Sequence, residues 1–121
     1  MIREVTTRDV EGIVDLEATK LNEEFDRTYF KKVIKKMIMQ AKFQIFVYEQ
    51  NNKIAGYIVG ALSTSLFNSR LHGTLVTQYL HPSVANPFVE GDLKDTLKAW
   101  FRENGCAHIS QVENKILEEI E

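Results

Sequence analysis

An α+β fold, one sheet with helices on both faces, is what this 121-residue chain predicts. Three observations carry that reading. Leu93, Leu97, Trp100 and Phe101 fall at i, i+4, i+7 and i+8, the apolar stripe of an amphipathic helix. The run Lys53 to Ala61 is apolar on both faces, so it needs cover on two sides and belongs in the middle of a sheet. Turn residues divide the rest into the order β-α-α-β-β-β-α-β-α, a layered α+β arrangement.

Ile2 to Val5 alternates as a short strand. Thr7 or Asp9 caps a helix bearing Val10, Ile13, Val14 and Leu21 near a three-to-four spacing. A second helix follows Asp26, with Phe30, Val33, Ile34 and Met37 on one stripe and Lys31, Lys32, Lys35 and Lys36 on the other side. Phe43 to Glu49 is β-branched and aromatic, Asn51-Asn52 is a turn, and Lys53 to Ala61 runs back. Strict alternation places Ile54, Ile58 and Leu62 on one face of that strand, with Ala55, Tyr57 and Val59 on the other. Ser65 to Arg70 is a loop and Gly73 to Leu80 a further strand. Asp92 with Asp95 caps the start of the next helix and Gly105 ends it. Ala107 to Val112 is a last strand and Asn114 to Ile120 a short acidic helix.

The length suits one domain, residues 1–121, with one core. At 44% hydrophobic and 26% charged residues the composition is globular, and a net charge of -2 gives no general pull toward nucleic acid or anionic membrane. The longest weakly polar stretch, Ile54 to Phe67, is too short to span a bilayer, and no signal peptide is read at the N-terminus. Cys106 is the sole cysteine, so no internal disulfide forms and a reducing compartment is the natural reading.

The segment Leu80-His81-Pro82-Ser83-Val84-Ala85-Asn86-Pro87-Phe88-Val89-Glu90, leading into a helix that ends at Gly105, resembles the cofactor-binding core of the GNAT superfamily of N-acetyltransferases. The opening Ile2 to Ile13 and the hairpin Asn51 to Tyr57 resemble that family's first strand and helix and its second and third strands. The resemblance covers nearly the whole chain. It implies a mixed, mostly antiparallel sheet, here with the family's C-terminal hairpin missing. The family reads roughly V-x-P-x-y-[RQ]-x-x-G-x-[GA] at this turn, with bare N–H groups gripping the pyrophosphate of acetyl-CoA. Aligned without a gap, Ala85 takes the basic or amide position, and Phe88 and Glu90 take the small ones. Shifted by one residue, Asn86 and Gly91 fit two positions while Val89 blocks the first glycine.

Glycine is needed there because a Cβ keeps backbone from approaching a phosphate, whereas Phe88 brings a ring and Pro87 removes a donor. Glu90, Asp92 and Asp95 add negative charge, and like charges at ~4 Å repel by roughly 1 kcal/mol in water and about 4 at an effective dielectric of 20. The same acids suit the first turn of a helix that binds nothing. Aligned on Asn114, the family's tyrosine acid falls near Glu121, where the chain ends. The resemblance also implies a glutamate on the strand before the turn, and Thr74 to Leu80 has none. His72 and His81 flank that strand as candidate bases, although a single His beside a turn is commonly a surface residue.

The three histidines lack ligand spacing, so no metal site is expected. Cys106 reads as a small packed residue, and the lysine run as a solvated face or a contact for an acidic partner or a phosphate backbone. No pattern of basic and aromatic residues marks a nucleic-acid reader. The expected function is therefore a catalytically degenerate GNAT-like domain, without a cofactor, that works in binding, assembly or structure. The resemblance extends to virion components of tailed phages, so the expected location is cytoplasmic or virion-associated. Its surface would be the strand edge with Ala107, Ile109, Gln111 and Val112, covered by a protein partner or a second copy. The alternative is an acetyl-CoA-dependent N-acyltransferase acting on an amine, with Tyr79, Leu80, His81, Asn86 and Gly91 at the cofactor and His81 or His72 as base.

Overall fold

The computed structural model describes residues 1–64 and 69–111. Strands β1 (Ile2–Glu4), β2 (Phe43–Gln50), β3 (Lys53–Thr64), β4 (Leu71–Leu80) and β5 (His108–Gln111) form one sheet in the order β1-β2-β3-β4-β5. All neighbours are antiparallel except β4 and β5, which run parallel. Helices α1 (Val10–Ala18) and α2 (Arg27–Ile38) contribute to the core on one face, and α3 (Pro87–Glu103) to that on the other. The expected α+β sheet with helices on both faces is the observed one. Val112 and the expected helix 114–120 lie outside the described residues, as do positions 65–68 of the expected loop.

The first helix departs from its expected span. Thr6 and Asp9 form a capping box over a short 3-10 turn, Thr7–Asp9, and the Asp9 carboxylate reaches back to the Thr6 N–H at 2.7 Å instead of capping α1. Leu21 is not on the helical stripe. The N–H groups of Thr19 and Lys20 turn back to carbonyls three residues earlier, which tightens and ends the helix. Leu21 follows with φ 55° and is exposed. In α2, Asp26 caps as expected, accepting from the Tyr29 N–H at 3.0 Å, and Ile34 is buried. Asn51 and Asn52, with φ of 53° and 64°, make the tight turn between β2 and β3.

Ile54 is on the opposite face from the one expected. Tyr48 pairs with Gly56 but Glu49 with Ile54, so Ala55 is an extra, bulged residue and every side chain before it changes face. Ile54 therefore packs with Tyr57 and Val59 under α1, while Ile58 and Leu62 face α3. β3 is central and covered on both sides, as its sequence predicts.

α3 begins earlier than expected. Its cap is Asn86, which accepts from the Val89 N–H at 2.9 Å, with Pro87 at the first helical position. The pair Asp92 and Asp95 lies inside the helix instead of capping it. Gly105, with φ 75°, follows the helix end in the left-handed conformation that only glycine adopts freely. Leu93, Leu97 and Phe101 are fully buried, each contributing about 1.5–3 kcal/mol of apolar burial, whereas Trp100 is only half-buried. The helix sits close because two strand glycines lie beneath it. A Cβ on Gly60 would come within 2.4 Å of Leu97, and one on Gly73 within 2.6 Å of the Phe101 ring.

Candidate functional site

β4 carries the candidate site, and an irregularity in its pairing shapes the backbone there. Val59 pairs with Thr77 but Gly60 pairs with Leu75, which leaves Val76 as a bulged residue. Pairing with β5 runs from His72 opposite His108 to Leu75 opposite Gln111, the last described residue of that strand. The His81 N–H donates to the Ala55 carbonyl at 2.8 Å, so alternation turns the backbone groups of Tyr79 and Thr77 toward β3 as well. Gln78 and Leu80 present theirs on the other side, beyond the bulge. Of the backbone expected at a cofactor arm, Leu80 thus faces away from β3, where no described strand pairs with it, while Tyr79 and His81 are engaged with β3.

After β4 the chain turns into α3. His81 Nδ1 accepts from the Ser83 N–H at 3.1 Å and lies 2.8 Å from the Ser83 hydroxyl. The neutral ring therefore carries its proton on Nε2, and the turn already uses its basic nitrogen. Asn86 claims the Val89 N–H, and Pro87 has none to offer. Phe88 is 83% exposed, in the first turn of α3. A Cβ on Gly91 would meet nothing within 4 Å, and Lys94 pairs with Glu90 at 3.3 Å, offsetting one of the three acids.

The two candidate histidines are not one constellation. Eight residues of β4 lie between them, nine steps of about 3.3 Å and so about 30 Å. His72 stacks on His108 at 5.4 Å between ring centroids, and its Nε2 is buried without a hydrogen-bond partner among the described residues. His81 instead lines a cavity of about 570 Å3 with Arg8, Asp15, Thr19, Glu49 and Lys53.

A carboxylate missing from β4 in sequence arrives from α1 in space. Glu17 accepts a short hydrogen bond from the Tyr57 hydroxyl and pairs with Lys20 Nζ at 2.8 Å. Thr77, next to the bulge, bonds the same tyrosine, and burial together with Glu17 pushes the Tyr57 phenol far above its usual range. The Thr19 hydroxyl donates to the Leu16 carbonyl and accepts from the Tyr79 hydroxyl at 3.1 Å, while Lys20 Nζ sits 4.4 Å from the Tyr79 ring centroid. Glu17, Lys20 and Tyr57 were missed because their partnership is made across α1, β3 and β4. The only early sign was an acid and a lysine three apart at a helix end.

Elsewhere the described residues contain no cluster of three metal-ligating side chains, and burial pushes the Cys106 thiol up, away from nucleophilic reactivity. No described helix is long and apolar enough to cross a membrane. Ala107 was expected to open β5 but precedes it, with its N–H on the Leu71 carbonyl at 2.9 Å, and Ile109 is 44% exposed.

This architecture, with a bulged β4 running into α3 and then a parallel β5, is the fold of the GNAT acetyltransferases. The sequence matches no protein-family model and no curated protein. Solved structures match closely in shape. A GNAT family acetyltransferase from Staphylococcus aureus superposes with a TM-score of 0.77 at 14% identity, covering 95% of this chain and 87% of its own. An aminoglycoside N-acetyltransferase in complex with CoA gives 0.83 at 14% identity, over 99% and 82%. A transcriptional regulator from Bacillus halodurans gives 0.80 at 17% identity, over 99% and 88%.

Proposed function

We propose that this chain is an acetyl-CoA-dependent N-acyltransferase acting on an amine. The observation that carries the reading is the Val76 bulge, after which the backbone of Gln78 and Leu80 faces away from β3, on the side where no described strand pairs with β4 beyond Leu75. An extended pantetheine arm would find donors and acceptors there in the manner of an added strand. The acetyl thioester supplies an activated carbonyl. The chain's own residues bind and orient around it: Leu80 and Gln78 by backbone, Asn86 and Gly91 at the helix start. The exposure of Phe88 and the open space at Gly91 support a turn that accommodates phosphate. With Pro87 lacking a donor and the Val89 N–H already taken, that grip is weaker than a glycine turn would give. Glu17 and His81 both lie beside Tyr79 on the α1 face. Either is a candidate proton acceptor, and each is already engaged: Glu17 by the Tyr57 hydroxyl and Lys20, His81 Nδ1 by Ser83.

Titration with acetyl-CoA tests the reading. Saturable binding is expected, adding ~2.7 kcal/mol of stability at one hundred times the dissociation constant. Release of free thiol on adding primary amines is expected alongside it. A protein that shows neither with millimolar acetyl-CoA is not an acyltransferase. A role in binding another polypeptide is favoured separately by Ile109, large, apolar and exposed on a strand that pairs only with β4 among the described residues.

A further inference from the structure

We propose that Glu17 and Tyr79 form a binding site for an unbranched primary alkylammonium group, which the chain's own Lys20 fills in the structure described here. The proposal rests on the acyltransferase reading for its purpose, since it supplies the acceptor's place. Its geometry stands independently.

Lys20 Nζ is a primary ammonium at the end of four methylenes, and it is held on two sides. One side is the Glu17 carboxylate at 2.8 Å, and the other is the face of the Tyr79 ring at 4.4 Å. A carboxylate with an aromatic face is the pairing that recognises an alkylammonium, the first by charge and hydrogen bond, the second through the ring quadrupole. Both walls are fixed in place. The Tyr57 hydroxyl holds the Glu17 carboxylate from below, and the Tyr79 hydroxyl is tied to Thr19. The Glu17 side chain is only 12% exposed, so its charge is weakly screened, while Lys20 is 34% exposed and can swing out to solvent. The cage therefore has rigid walls and a removable occupant. It also lies beside the stretch of β4 beyond Leu75, where no described strand pairs on the side away from β3. Tyr79 is the residue between Gln78 and Leu80, whose backbone groups alternation turns toward that same side.

Lys20 competes with any incoming amine, because the two share one carboxylate and one ring face. Removing its charge while keeping its stem should vacate the cage. The experiment follows n-butylammonium binding by NMR, through the shift and broadening of the ligand's own methylene resonances, in the wild-type chain and in Lys20→Met. Lys20→Met is expected to bind at least tenfold more tightly than wild type. Adding Glu17→Gln or Tyr79→Leu to Lys20→Met should each weaken binding by tenfold or more. Tetramethylammonium, which has no N–H for the carboxylate, should bind more weakly than butylammonium. Melting curves identify any variant that has lost its fold, and the two second variants act on different walls, so one suffices. Equal affinity in Lys20→Met and wild type, or unchanged affinity after loss of either wall, overturns the proposal. Acetyl-CoA titration of Lys20→Met separates the two ideas: butylammonium binding without coenzyme binding keeps the cage and removes the acyltransferase.

Discussion

Gly73→Ala should loosen α3 from the sheet, and its magnitude follows from the packing. The added methyl would stand 2.6 Å from both Cγ and Cδ1 of Phe101, about an ångström inside ordinary contact. The ring has little room to retreat, because Phe101 is fully buried and its far end already lies over Gly60, where a Cβ would be 2.9 Å from Cζ. Overpacking of this kind costs about 1–3 kcal/mol. An alanine in place of glycine also stiffens the unfolded chain, which returns about 0.4–1 kcal/mol. The net expectation is a loss of about 1–2 kcal/mol, or roughly 4–8 °C in Tm for a chain of this length. Urea denaturation of Gly73→Ala, Phe101→Leu and the double variant measures it. The double variant should be more stable than the summed losses by about 1 kcal/mol, since leucine gives the methyl space. A Gly73→Ala protein as stable as wild type, or more so, would refute the contact between helix and strand.

Three further outcomes are expected. Arg3 makes paired hydrogen bonds of 2.8 Å to Asp9 and holds its carboxyl below the usual range, so Asp9→Asn should cost about 1.5–3 kcal/mol at neutral pH. That stability is present above the ordinary carboxylate pKa and is lost as pH falls through the lowered one. Denaturation curves of the two proteins should therefore differ at pH 7 and converge in acid, below about pH 4. Asn86→Ala removes the cap of α3 and should lower stability by about 1 kcal/mol by calorimetry. At the β5 edge the Ala107 N–H points to β4, so alternation turns those of His108 and Ser110 outward. Ser110→Pro should then abolish any strand-to-strand association seen by sedimentation while leaving the β4 pairing intact, and a wild-type chain that is monomeric at working concentration removes the idea.

The helices were legible because burial imposes a period: Ile34, Leu97 and Phe101 sit where their spacing puts them. What escaped depends on single residues without periodic signature. Asp92 and Asp95 look like caps to any scan for acids, yet the helix starts at Asn86-Pro87, where a side-chain acceptor precedes a fixed φ. Ile54 changed face because one bulged alanine resets the alternation, and alanine is as acceptable in a regular strand as in a bulge. Phe88 was expected to fill the phosphate turn, but a side chain at the start of a helix can point to water, and this one does. The candidate site was legible as a strand and a turn. Its carboxylate was not, because Glu17 meets Tyr57 across forty residues of sequence.

The bulge at Ala55 also governs how this hairpin can change length. Removing any one residue from a plain strand turns the side chains on one flank of the deletion over to the wrong layer. Here one deletion is different: losing Ala55 would restore regular pairing and leave Ile54 opposite Glu49, still under α1, where it meets Gly12. Insertions and deletions in β3 are thus constrained by parity as well as by size. The Asn51-Asn52 turn must keep residues that accept its positive φ, and a strand that changes by a single position must gain or lose a bulge with it.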